Sequence, residues 1–118
     1  MWSKISVGLL VLLVLGILSS FAMAHPPSNI NVTFDGETQV LRVSIPHGVS
    51  DPKGNHYIDK VVVSLNGKEV ITQFLSSQYS PQEQVVLYQL IDAKKGDTIE
   101  VYAKCSKFGD LKSSLKVQ

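Results

Sequence analysis

Apolar and polar residues alternate with a period of two in run after run of this chain. Leu41, Val43 and Ile45 alternate with Val40, Arg42 and Ser44. Val61, Val63 and Leu65 alternate with Lys60, Val62 and Ser64, and Ile99, Val101 and Ala103 with Thr98, Glu100 and Tyr102. Alternation of this kind gives a strand one apolar face and gives a helix no coherent stripe, so these runs have to bury one side of a sheet. Turn signals break them at short intervals: Asp35-Gly36, Asp51-Pro52 with Lys53-Gly54, Asn66-Gly67, Ser80-Pro81, Lys95-Gly96-Asp97 and Gly109-Asp110. Asn66-Gly67 is the clearest, because a type I′ hairpin needs positive φ at both central positions and Asn and Gly supply it cheaply. The pattern predicts strands over 30–34, 38–45, 57–65, 69–75, 84–91, 97–104 and 111–117. About seven short strands in one chain imply an all-β fold, an immunoglobulin-like antiparallel β-sandwich.

Ahead of this domain, Ile5 to Phe21 carry no charge and no proline, Lys4 precedes them, and Ala22-Met23-Ala24 supplies the small-residue pattern at which signal peptidase cuts. Residues 1–24 are therefore expected to be an N-terminal signal helix, cleaved after Ala24, and residues 25–118 the exported domain, in a bacterial periplasm at its simplest. The competing reading is an uncleaved signal that anchors the chain, since an apolar run of roughly 17 residues is the shortest that spans a bilayer. About 90 residues suffice for one modest core. With 11 Lys and Arg against 10 Asp and Glu, losing Lys4 leaves the domain without net charge. That gives no electrostatic footprint for nucleic acid, or for anionic lipid beyond an uncleaved signal.

The chemistry-bearing residues are few. The chain has three His and one Cys, and His25, His47, His56 and Cys105 all fall at strand ends or loops, where binding groups concentrate. A lone Cys in an oxidising compartment is a buried inert thiol, half of an intermolecular disulfide, or a metal thiolate. Imidazole nitrogens with one thiolate suit a redox-active metal better than calcium or magnesium. No Gly-x-Ser-x-Gly elbow, phosphate loop, calcium loop or carboxylate dyad stands out. Tyr57, Tyr79, Tyr88 and Tyr102 are read as strand packing, with Tyr102 and Phe108 expected to shield the thiolate from water. Lys94-Lys95 reads as a solvated turn.

Pro46-His47, a polar loop, and His56-Tyr57-Ile58 resemble the His-Pro and His-Tyr-Ile segment of superoxide reductases, also called neelaredoxins and found as the iron-binding domain of desulfoferrodoxins. Cys105-Ser106-Lys107-Phe108-Gly109 is similar to that family's Cys-Asn-x-His-Gly turn, and His25-Pro26-Pro27 falls about where its first His ligand precedes a strand. The resemblance implies an immunoglobulin-like sandwich with a mononuclear non-haem iron. The iron is held by equatorial His nitrogens and an axial Cys thiolate, and its open position reduces superoxide to hydrogen peroxide. Carried over residue by residue, His25, His47 and His56 match equatorial ligands and Cys105 the axial thiolate.

Four departures accompany the match. Phe108 stands where the fourth His is expected and cannot bind a metal. The loop from Gly48 to Asn55 is longer than is typical of the family. The Glu-Lys pair that commonly precedes the first His is replaced by signal sequence, which leaves Lys53 in the long loop as a candidate catalytic cation. Cleavage after Ala24 would give His25 a free α-amino group, able to chelate together with its ring and offset the missing His. The rubredoxin-like domain that could donate electrons needs four thiolates, so an external electron donor, of unknown identity, is implied. Copper is the alternative to iron, in a non-catalytic metal-binding module, and a metal-free immunoglobulin-like interaction domain is the third reading. The sequence leaves the oligomeric state open.

Overall fold

The computed structural model describes residues 25–118, so the expected signal helix over 1–24 lies outside the described residues. Seven strands follow one another: β1 (Asn31–Asp35), β2 (Val40–Pro46), β3 (Ile58–Leu65), β4 (Lys68–Phe74), β5 (Glu83–Gln89), β6 (Thr98–Cys105) and β7 (Asp110–Lys116). Each lies within two residues of the range its alternation predicts. They form two antiparallel sheets, β1-β2-β5 and β4-β3-β6-β7. Every pairing is antiparallel, and the chain changes sheet between β2 and β3, between β4 and β5 and between β5 and β6, as expected for a sandwich of this class.

The core is where the two periodic faces meet. Leu41, Val43 and Ile45 from β2 pack with Val61 and Val63 from β3 and with Ile99, Val101 and Ala103 from β6, all fully buried. Burying side chains of this size contributes about 1.5–3 kcal/mol each. The β3–β4 hairpin turns at Asn66 and Gly67 with φ of 51° and 85°, the two positive values that the type I′ assignment requires. The solvated turn at Lys94-Lys95 is better tied than its sequence suggests. Asp97, buried, accepts from the Lys94 backbone N–H at 3.0 Å and from Asn66 Nδ2 at 3.1 Å. These bonds, the backbone one first, hold its carboxyl below the usual aspartate range.

The tyrosines divide differently from expectation. Tyr88 packs against the core and donates from its hydroxyl to Gln73 Oε1 at 2.6 Å, bridging β5 to β4 of the opposite sheet, and burial pushes its pKa up to about 12. Tyr79 lies in the β4–β5 loop and is exposed. Tyr102 occupies an even position of β6, whose odd positions face the core, so its ring lies on the outer face of the sheet, where its hydroxyl donates to Asp110. Phe108 is 63% exposed. Neither Tyr102 nor Phe108 shields the thiol, which faces the interior between the sheets.

Candidate metal centre

Two of the four candidate residues are carried into place by strand phase. β2 turns Leu41, Val43 and Ile45 inward, and two residues further the same phase turns His47 inward, with 2% of its surface exposed. β6 does the same with Ile99, Val101, Ala103 and then Cys105, at 1%. Both side chains therefore emerge at the same end of the core. The backbone extends the pairing beyond β2, since His47 N–H donates to Gln82 O at 2.9 Å and Val49 N–H to Pro81 O at 2.8 Å.

The third residue depends on a β-bulge. Val61 and Val63 face the core, so strict alternation would turn Asp59 inward as well. Instead the register with β6 shifts between Ile58 and Lys60, which sets Ile58 opposite Cys105 and Lys60 opposite Lys104. Ile58 is then fully buried, and Asp59 meets Lys104 Nζ at 3.4 Å. Re-aiming a strand end beside a site is a common use of bulges. Ser106 fixes the segment that follows from this on both sides of His56: its hydroxyl accepts from Tyr57 N–H at 3.1 Å and donates to Asn55 O at 2.8 Å.

His47, His56 and Cys105 each offer a ligating atom, and these atoms lie within 4.8 Å of one another. The His47 and His56 rings meet edge to face with centroids 4.9 Å apart. His25 stands beside them, its ring 5.2 Å from that of His47 and 5.8 Å from that of His56. It is exposed, its Nδ1 lies 3.1 Å from Pro26 O, and it is outside the tight three-residue cluster. Its segment is nevertheless docked: Ser28 N–H reaches Pro46 O at 3.3 Å, and the Pro26 ring lies against Gly109, which has φ of +86°.

The chemistry of this donor set fits a transition metal. His56 Nε2 is buried without a hydrogen-bond partner, a state that costs free energy unless something else satisfies the lone pair. Burial, with smaller contributions from His47, His25 and Lys107, pulls the His56 pKa below its ordinary value, which favours the neutral, ligating form. Lys107 N–H points at Cys105 Sγ from 3.5 Å. Cys105 N–H is itself satisfied by Gly109 O at 3.0 Å.

Around the cluster, a cavity of about 410 Å³ opens to solvent, lined by His25, His56, Gly48, Val49, Ser50, Pro81 and Gln82. Neither a carboxylate nor a Lys or Arg side chain lines it. Lys53 is exposed in the long loop, with its backbone N–H on Asp51 Oδ1 at 3.0 Å, and does not line this mouth.

Three contributors escape sequence reasoning. Ser106 and Lys107 follow the single Cys and were within reach of it. Gln78, a lone amide in the polar stretch Ser76 to Ser80, offers no sequence signal, yet it is 5% exposed and bonded to His47.

No protein-family model matches the chain, and no curated protein does. Among solved structures, superoxide reductase from Nanoarchaeum equitans is similar to it at 18% sequence identity, with a TM-score of 0.43 and an alignment covering 79% of this chain and 92% of that one.

Proposed function

We propose that the chain is an exported mononuclear non-haem iron protein of the superoxide reductase type, with His25, His47, His56 and Cys105 as ligands. The observation that carries this reading is the convergence of His47 and His56 on the buried Cys105, with the His25 ring beside the other two and His56 Nε2 buried and unpaired. A metal-free interaction domain gives no reason for that orphaned nitrogen.

Held by these four residues, ferrous iron would supply the one electron that, with two protons, converts superoxide to hydrogen peroxide, and an external reductant would restore it. The chain's own residues divide the remaining work. Cys105 would donate charge from the core side as a thiolate ligand, with the Lys107 N–H directed at its sulfur. Ser106 holds the His56 backbone, and the uncharged walls at Gly48, Val49 and Pro81 leave a solvent-connected approach on the His25 and His56 side.

A second reading has its own support. The mouth lacks a lining cation and Phe108 turns to solvent where a fourth His is expected, which suits a periplasmic copper- or iron-binding module without turnover. One experiment separates the two: protein beginning at His25 is loaded with ferrous iron under anaerobic conditions, oxidised, and its visible spectrum recorded. The reductase-type site predicts a sulfur-to-ferric charge-transfer band that disappears in Cys105→Ser. Full metal affinity in Cys105→Ser would select the binding module, and no uptake of iron or copper by the unaltered protein would leave neither.

A further inference from the structure

We infer that Gln78 is a positioning residue for this centre: its amide holds His47 in the Nδ1–H tautomer, so that Nε2 is the nitrogen left free to bind a metal. The consequence for metal binding rests on the reading of the cluster given above, whereas the tautomer does not.

The orientation of the Gln78 amide is fixed by three backbone groups that are independent of His47's ring. Its Nε2 donates to His47 O at 2.6 Å and to Ser80 O at 2.9 Å, two carbonyls that can only accept. Its Oε1 accepts from Ile58 N–H at 3.3 Å. A flipped amide would set oxygen against two carbonyl oxygens and NH2 against an N–H, so Oε1 faces His47 Nδ1, 2.9 Å away. An amide oxygen can only accept, and the proton of a neutral His47 ring therefore belongs on Nδ1.

A competing acceptor is present on the other side, because His47 Nε2 lies 3.3 Å from His25 O. A neutral imidazole has one N–H and can serve only one of them. The Gln78 contact is shorter and buried, while His25 is exposed, so it wins the proton. Neutral imidazole in water prefers the opposite tautomer, with the proton on Nε2. Without Gln78 the ring would turn a proton, instead of a lone pair, toward the cluster.

Gln78 is also well placed to transmit position. Its backbone N–H donates to Pro52 O at 2.8 Å, and its side chain touches the end of β2 and the start of β3. One buried residue thus ties the long loop between the two central His residues to the strands that present them. Gln84, 3% exposed, braces the β4–β5 loop that carries Gln78 by donating to Ser77 O at 2.9 Å and accepting from Tyr79 N–H at 3.0 Å.

The test is long-range ¹H–¹⁵N correlation of the imidazoles in metal-free protein beginning at His25, at a pH where the rings are neutral, followed by titration with ferrous iron and with copper. The unaltered protein is expected to show His47 as Nδ1–H. Gln78→Met, which removes the acceptor at nearly constant volume, is expected to shift His47 to Nε2–H and to weaken metal binding by about 10–100-fold. Gln78→Glu keeps an acceptor while losing both donated bonds, so it should be less stable yet retain the Nδ1–H tautomer and recover part of the affinity. That rescue distinguishes positioning from general support of the fold. An Nε2–H tautomer in the unaltered protein overturns the inference even if Gln78→Met fails to fold, as does unchanged tautomer and affinity in a folded Gln78→Met. Uptake of neither metal by protein with the expected tautomer overturns the metal site instead, and the Gln78–His47 pairing stands.

Discussion

Gly109 has two separate reasons to be glycine, and a single methyl group tests whether it places His25. Its φ of +86° disfavours any L side chain, at a cost of about 1–2 kcal/mol. A Cβ there would also sit 2.4 Å from Pro26 Cβ and 3.1 Å from Pro26 Cα. Restoring ordinary contact requires Pro26 to retreat by about 1 Å, since packed atoms do not interpenetrate, and His25 is bonded to Pro26. A ligand displaced that far leaves the roughly 0.5 Å tolerance within which a metal site must be held. Gly109→Ala should therefore lower stability by about 1–3 kcal/mol and weaken metal binding by about 10–100-fold.

Gly67 provides the control. Its φ of +85° carries the same backbone cost, but an added Cβ meets nothing within 4 Å. Gly67→Ala should lose about 1–2 kcal/mol by urea titration and bind metal as the unaltered protein does. Because Gly109 O also accepts from Cys105 N–H, isothermal titration of the Gly109→Ala, His25→Ala double variant completes the comparison. If the effect passes through Pro26, Gly109→Ala costs no further affinity once His25 is gone. Equal metal affinities for Gly109→Ala and Gly67→Ala, or full additivity in the double variant, would refute the reasoning.

Other outcomes follow from the same contacts. Ser106→Ala removes the bonds on both sides of His56 and should weaken metal binding about 10-fold or more with the sandwich intact by circular dichroism; unchanged affinity removes Ser106 from the site. Asn66→Ala loses a φ > 0 residue that bonds both Asp97 and Thr98 N–H and should destabilise the domain by about 1–3 kcal/mol, read as a lower urea midpoint. Asp97 has a folded-state pKa below its unfolded value. Its contribution is thus present above the unfolded pKa of 3.8 and is lost as pH falls through the folded pKa. The difference in urea midpoint between the unaltered protein and Asp97→Asn should be constant at neutral pH and shrink below that value; a difference independent of pH would show that the charge is not what matters.

Much of this centre was legible because it is a continuation of the core. Counting by two from Ile45 and from Ala103 reaches His47 and Cys105, so the alternation that forces a sandwich also dictates that these side chains face inward at one end. His56 cannot be reached that way. Counting back by two from Val61 arrives at Asp59, and only the bulge between Ile58 and Lys60 restores an apolar residue to the interior and sets the His56 segment beside Cys105. The bulge has a physical cause in the residues themselves, since alternation would bury a carboxylate at Asp59 and expose Ile58, whereas the shift buries Ile58 and brings Asp59 to Lys104. No such account was available for Gln78, Ser106 or the Pro26–Gly109 contact. These groups act through pairings between segments far apart in the chain, 31 residues for Gln78 and His47 and 49 for Ser106 and Tyr57, and a polar residue's partner is not encoded in its own periodicity. Strand alternation thus directs two of the candidate donors, His47 and Cys105, into the core, while their orientation is a property of the loops, and it is the loops that decide whether four candidate donors at one end of a sandwich become a metal site.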